Sequence, residues 1–166
     1  IIMLTGRSDK ADIVRGIGEL YDPLADEKGV TLTIEAAAAV PARGNRELVT
    51  QALANLVDNA IKYVAVGDGE RKPAIAVTAR EENDRVLLIV ADNGPGIAAA
   101  DRGRVVERFV RLEQSRSEPG SGLGLSLVSA VAHLHGGELK LEDNEPGLRA
   151  ILSLPRNARP LPPPPQ

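Results

Sequence analysis

Apolar side chains recur along this chain at two spacings, and the changes between them divide it into blocks. Between 11 and 28, Ile13, Val14, Ile17, Leu20, Tyr21 and Leu24 fall on one side of a helix. Gly29 closes that block, and 30–35 alternates as a strand, with Leu32 and Ile34 opposite Thr31 and Thr33. The stretch 46–64 predicts the clearest helix, its apolar side made of Val49, Leu53, Leu56, Val57, Ala60 and Ile61. Beyond a loop containing Gly67 and Gly69, 74–80 and 86–91 predict two strands, and Glu82, Asn83 and Asp84 between them suggest an antiparallel hairpin. A last helix is expected over 121–135, with Leu123, Leu127, Val131 and Leu134 on one side and Gly136-Gly137 as its stop. Strands at 138–142 and 148–154 are joined by Asn144-Glu145-Pro146-Gly147. Strands come in adjacent pairs and not in strict alternation with helices. The expected fold is therefore α+β, a two-layer sandwich whose mixed, mostly antiparallel sheet carries helices on one face.

Composition narrows what such a domain does. The 166 residues are 43% hydrophobic but only 2% aromatic, so the core is built from Leu, Ile, Val and Ala. Few aromatics leave little for stacking on single-stranded nucleic acid, and a net charge of -3 gives no attraction to DNA or an anionic membrane. With no cysteine, disulfides, thiolate zinc sites and cysteine nucleophiles are excluded. No apolar run approaches a membrane span and no leader of the signal-peptide type is present, so a soluble domain without direct membrane contact is expected.

Three polar features carry the candidate chemistry. Gln51, Asn55, Asn59 and Lys62 line one stripe of the 46–64 helix. Asn is a mediocre helix former, so two of them one turn apart ask for a reason, although a plain solvated face is the commoner explanation of such a stripe. An amide oxygen suits Mg²⁺, which prefers oxygen ligands and keeps waters and phosphates as the others, and Lys62 can meet phosphate as a point charge. The second feature is Asp92-Asn93-Gly94-Pro95-Gly96-Ile97 at a strand end. A carboxylate there can accept from the amino group of adenine, and the glycines let backbone approach a flat base. Alone, this pattern is more often a turn. The third is Gly120-Ser121-Gly122-Leu123-Gly124-Leu125 leading into a helix, where free N–H groups can receive phosphate. No Lys-Ser/Thr follows these glycines and no βαβ unit surrounds them, which excludes a P-loop and a dinucleotide-binding turn.

Together these runs resemble the boxes of sensor histidine kinases. Asn55-Leu56-Val57-Asp58-Asn59-Ala60-Ile61-Lys62-Tyr63 resembles their N box and Asp92 to Ile97 their G1 box. Glu107-Arg108-Phe109-Val110-Arg111 resembles the F box, and Gly120 to Leu125 the G2 box. The four occur in the family's order, and the likeness extends over about 11–155. It implies the Bergerat ATP-binding fold shared with gyrase and MutL, with ATP and Mg²⁺ as cofactors. It also implies roles. Asn59 would hold the metal, supported by Asn55, while Lys62 approaches the phosphates and Tyr63 packs beside base or ribose. Asp92 would bond the adenine amino group in a pocket shaped by Gly94, Gly96 and Ile97. Gly120, Ser121, Gly122, Leu123, Gly124 and Leu125 would close on the triphosphate, and a lid of about 97–121 would be anchored by Phe109. Arg111 or Arg116 would be the lid cation that neutralises γ-phosphate charge during transfer. For either Arg, a solvated surface charge remains the competing explanation. Hydrolysing relatives resemble one another in carrying Glu where Asn55 stands, and an amide is no general base.

The resemblance implies transfer of the γ-phosphoryl group to a histidine on a separate dimerisation domain, with a response regulator reached through that domain. A silent ATP-binding platform that docks a signalling partner is the alternative, and an ATPase driving conformational change is the one Asn55 opposes. The expected location is the cytoplasm, with any inner-membrane anchor in a parent kinase. The two histidines, His133 and His135, read as structural: the first at the core edge, the second beside Gly136, where a C-terminal imidazole favours the helix dipole. Many relatives carry a Thr where Arg149 stands, so a hydroxyl near adenine is missing. Residues 1–10 are expected to be a junction segment, 11–155 the catalytic domain and 156–166 a Pro-rich disordered tail. The opening residues resemble a receiver-domain strand with Thr5 as its switch hydroxyl; a natural junction, a fusion and coincidence stay open, with poor packing or an unexpected pairing expected for the segment.

Overall fold

A computed structural model of the chain describes residues 7–36, 41–64, 72–96, 100 and 124–156. In chain order these form β1 (Arg7–Asp9), α1 (Lys10–Glu27), β2 (Thr31–Ala36), β3 (Pro41–Arg43) and α2 (Arg46–Val64). There follow β4 (Ala74–Glu82), β5 (Arg85–Asp92), α3 (Gly124–Leu134), β6 (Glu138–Asp143) and β7 (Leu148–Pro155). Five strands make one sheet in the order β2-β4-β5-β7-β6. Only the β2–β4 pairing is parallel; the other three are antiparallel. The sheet is thus mixed and mostly antiparallel, as the pairing of strand signals predicted.

Alternation along the strands explains why helices cover one face. Ile75, Val77 and Ala79 of β4, Val86, Leu88 and Val90 of β5, and Ala150, Leu152 and Leu154 of β7 point the same way. They join Ile13, Val14 and Ile17 of α1, Val49, Leu53 and Val57 of α2 and Val128 and Val131 of α3 in one core. Each Val, Leu or Ile among them, fully buried, contributes about 1.5–3 kcal/mol, which fixes which helix stripe faces inward. The polar stripe of α2 is consequently turned away from the sheet. The β4–β5 turn is two residues, Asn83 and Asp84, with φ of 51° and 61°. Both lie in the left-handed region that a tight hairpin needs.

Two helices end in the same motif. After α1, Val30 N donates to Ala25 O and Gly29 N to Asp26 O; after α3, Gly137 N donates to Ala132 O and Gly136 N to His133 O. Gly136 has φ +75°, the left-handed conformation this cap requires.

The opening segment is paired with a partner the sequence did not indicate, the short strand β3, which itself was not anticipated. β1 pairs antiparallel with β3, Arg7 opposite Arg43 and Asp9 opposite Pro41. Three residues are too short for a period to show. Arg7–Asp9 are thus hydrogen-bonded to β3, and Lys10, the first residue of α1, is completely buried. Thr5 and the 156–166 tail beyond Arg156 lie outside the described residues.

The histidines differ from expectation in their physics. His133 is exposed, not at the core edge. His135 is 1% exposed. Its Nδ1 lies 2.8 Å from Val131 O, and its Nε2 accepts the N–H of Asn45 at 3.0 Å. Nε2 is therefore unprotonated and Nδ1 carries the hydrogen, a neutral ring and not a dipole-seeking cation. Asn45 in turn caps α2, its Oδ1 accepting from Leu48 N at 3.0 Å. His135 thus ties the end of α3 to the start of the helix that carries the amide stripe.

Burial lowers the pKa of His135, with Lys10 adding to the effect and the Val131 carbonyl opposing it. A histidine whose folded pKa lies below its ordinary 6.5 binds fewer protons than the unfolded chain, so its stabilisation is present above 6.5 and lost as pH falls. Urea midpoints at pH 7.5 and 5.5 should therefore fall more for the native chain than for His135→Gln, which cannot titrate. Equal falls would show that the ring is not held neutral.

Candidate functional site

The polar stripe of α2 begins the site. Asn55, Asn59, Lys62 and Tyr63 are all half-buried, while Gln51 is exposed. At 1.5 Å rise per residue, the amides of Asn55 and Asn59 stand one turn, about 6 Å, apart along the axis. Among the described residues neither amide is hydrogen-bonded to another protein group. A plain solvated stripe would sit fully in water, and a structural one would be bonded. These two amides are sheltered and uncommitted. Lys62 Nζ stands 5.7 Å from the centroid of the Tyr63 ring, within cation–π range.

The turn after β5 docks on the C-terminal end of this helix. A Cβ on Gly94 would come to 3.0 Å of Val64 Cα and 3.3 Å of Tyr63 O, so only glycine lets the two backbones meet this closely. That contact brings Asp92 beside the helix end carrying Lys62 and Tyr63. Asp92 is 5% exposed. Its Oδ1 accepts two backbone N–H groups, from Gly94 at 2.9 Å and Leu148 at 3.2 Å. Oδ2 has no partner among the described residues and is the oxygen left for a ligand donor. Burial pushes the Asp92 pKa up from 3.8, and the N–H groups of Gly94 and Leu148 pull it partly back. The carboxylate is desolvated and only partly compensated, which is the state that a ligand's N–H would relieve.

Asn93 fastens this turn to the sheet. Its Oδ1 accepts from Ala74 N at 2.9 Å, its Nδ2 donates to Lys72 O at 3.0 Å, and its own N donates to Ala74 O. The side chain imitates an extra strand residue at the head of β4 and holds the chain that enters the site there.

The β6–β7 turn closes the third side, from a segment that in the sequence shows only a connection between two strands. Asn144 Nδ2 donates to Asp92 O at 2.7 Å, and Asn144 N donates to Gly147 O at 3.0 Å. Gly147 is buried against Asp92 O, and a Cβ on Gly96 would reach 2.8 Å of Gly147 O. No local signal in 144–147 points to a partner 52 residues away. Alternation along β7 puts Arg149 on the face away from the helices, whereas Leu148 donates its N–H to Asp92. Neither side chain carries a hydroxyl.

The structure therefore sets Gly94, with Asp92 beside it, on the end of the helix that carries Asn55, Asn59, Lys62 and Tyr63, and sets Gly96 against Gly147. Gly124 is the first residue of α3 and Leu125 packs half-buried against the core. Ile97, Phe109, Arg111, Arg116, Gly120, Ser121, Gly122 and Leu123 lie outside the described residues. Among the described residues no cluster of three His, Asp or Glu side chains could hold a metal, and no helix is long and apolar enough to cross a membrane. A magnesium ion fits the donors that are present, since it takes one amide oxygen and fills its other positions with phosphate and water. Asn59 offers that oxygen.

Comparison with known proteins agrees with this fold. Residues 44–158 match the family model of histidine kinase-, DNA gyrase B-, and HSP90-like ATPases. The probable sensor protein PcoS of Escherichia coli is 34% identical over 143 residues, 82% of this chain and 29% of that protein. The signal transduction histidine-protein kinase/phosphatase MprB of Mycobacterium leprae is 42% identical over 107 residues, 64% of this chain and 20% of that protein. The chain thus spans less than a third of either relative's length. Among solved structures, full-length ShkA in complex with AMPPNP superposes with a TM-score of 0.79 at 28% identity, covering 96% of this chain and 33% of that one.

Proposed function

Because the chain belongs to the family of histidine kinase-, DNA gyrase B-, and HSP90-like ATPases, we propose that it binds Mg-ATP and donates the γ-phosphoryl group to a histidine on a separate dimerisation domain in two-component signalling. The observation that carries this reading is the docking of the Asp92 turn on the end of α2, which joins a base-reading carboxylate to an amide stripe in one site. Asp92 Oδ2 would accept from the adenine amino group. Tyr63 would flank the base or ribose, and Lys62 would meet the phosphates. Asn59, with Asn55 beside it, would hold magnesium. The ion would neutralise charge on the transferring phosphate. Arg111 and Arg116 are the remaining cations proposed for that charge.

Asn55 decides between transfer and hydrolysis. An amide cannot take a proton from water, so the site holds ATP without activating a nucleophile of its own. In the transfer, an acceptor imidazole nitrogen forms the new N–P bond, the bridging oxygen–γ-phosphorus bond breaks, and ADP leaves with the electron pair. No histidine of this chain fits the acceptor role. Both ring nitrogens of His135 are engaged in the core, and exposed His133 sits about 14 Å along α3 from Gly124. The acceptor therefore comes from a partner domain in the cytoplasm, where ATP is available, and a response regulator would take the phosphoryl group from it.

Mixing the chain with γ-labelled ATP and an isolated dimerisation domain should place acid-labile, base-stable phosphate on that domain. Tight nucleotide binding without transfer to any acceptor would instead favour a docking platform. Phosphate release without an acceptor would sink the argument from Asn55.

A further inference from the structure

The geometry points to the β6–β7 turn as a clamp that aims the Asp92 carboxylate, with Asn144 as its positioning residue and the purine 6-amino group as what it helps select. This rests on the reading of Asp92 as the base contact. Asp92 is the last residue of β5, and the ladder to β7 ends one residue earlier, at Ala91 opposite Arg149. Its carbonyl, beyond that ladder, has no strand partner on this side, and Asn144 Nδ2 supplies one at 2.7 Å. The same turn sends Leu148 N to the carboxylate at 3.2 Å and presses Gly147 against the Asp92 carbonyl. One short loop therefore holds both ends of a single residue: its peptide plane and its side chain.

The turn is itself braced for this. Asn144 N bonds Gly147 O at 3.0 Å, and Asp143 Oδ1 accepts from Glu145 N at 3.0 Å. Asn144 is largely exposed and contributes nothing to the core, so its structural contribution lies in the bonds its amide and backbone make. Among the described residues only Oδ1 of Asp92 is restrained directly, by two N–H groups. The direction of Oδ2 follows from that pair and from the peptide plane that Asn144 fixes. Releasing the plane lets the carboxylate swing, and a hydrogen bond to a flat base edge weakens steeply as its angle opens.

The test compares ATP, AMP and purine riboside triphosphate, which lacks the amino group, binding to the full 166-residue chain. The native chain should prefer ATP to the purine analogue. Asn144→Ala should narrow that preference about 5-fold, the effect of losing one neutral hydrogen bond, while leaving the ATP-to-AMP ratio unchanged. Asn144→Asp keeps size and turn preference but replaces the donor with an acceptor, and it should narrow the preference at least as much. In an Asp92→Asn background neither change should narrow it further. A merely structural role would lower all three affinities together. Preference for ATP that survives both Asn144 changes overturns the clamp while leaving the Asp92 reading intact. A native chain with no preference overturns the Asp92 reading, and the clamp with it.

Discussion

Alanine at Gly147 should lower the stability of the domain by about 3 kcal/mol, combining a strained backbone with an overpacked contact. Gly147 has φ +112°, a conformation that L side chains rarely adopt. A Cβ there would collide with the Asp92 carbonyl and stand 2.9 Å from Asn93 Cα. Both neighbours are backbone, so neither can swing aside as a side chain would. Relief would require moving the β6–β7 turn off Asp92, and with it the bonds from Asn144 and Leu148. The melting temperature should therefore fall by roughly 10 °C for a chain of this size, and ATP affinity should fall even well below the melting range. Gly16→Ala is the contrasting control. Gly16 lies in α1 with nothing within 4 Å of its would-be Cβ, and alanine there should raise stability by about 0.5–1 kcal/mol. If Gly147→Ala melts with the native chain, the turn is not packed on Asp92.

The contrast between these glycines shows what a sequence can and cannot reveal. Among the described residues, helices α1, α2 and α3 and the five strands of the main sheet were legible because each turns a periodic apolar face to the core. Val49, Leu53 and Val57 announce α2, and Val86, Leu88 and Val90 announce β5. The parallel β2–β4 pairing and the β1–β3 pairing were not legible, because pairing partners far apart in the chain leave no local pattern. At the site, the half on α2 was visible as an amide stripe that helix propensity disfavours, and Asp92 was visible as a carboxylate among glycines. The clamp was invisible. Asn144-Glu145-Pro146-Gly147 reads as a turn whatever it touches, and only the sheet order, which places β7 beside β5, carries it to Asp92. His135 is a similar case. A histidine at a helix end suggests a charge on the dipole, whereas burial and the N–H of Asn45 make it neutral.

Asp92→Asn should weaken ATP binding about 100-fold while leaving the empty domain as stable as the native one, or more so. Asn keeps an oxygen to accept from Gly94 and Leu148 N–H, so the turn that holds residue 92 survives. The atom replacing Oδ2 becomes a donor and faces the donor of the adenine amino group, leaving both groups without a partner in a desolvated site. For stability, the sign follows from the pKa of Asp92, raised above 3.8 chiefly by burial. A carboxyl whose folded pKa exceeds its unfolded value contributes its full stabilisation below the unfolded pKa and loses it as pH rises through the folded pKa. At neutral pH the ionised carboxylate thus weighs against the empty fold, and the neutral amide removes that burden. Melting temperatures of the two proteins should converge as pH approaches 4 and separate in favour of Asn above it, while calorimetric titration at pH 7.5 shows the lost affinity. The two readouts move in opposite directions, which a merely misfolded variant cannot imitate. Unchanged ATP affinity would mean that the buried carboxylate serves the fold and not the base.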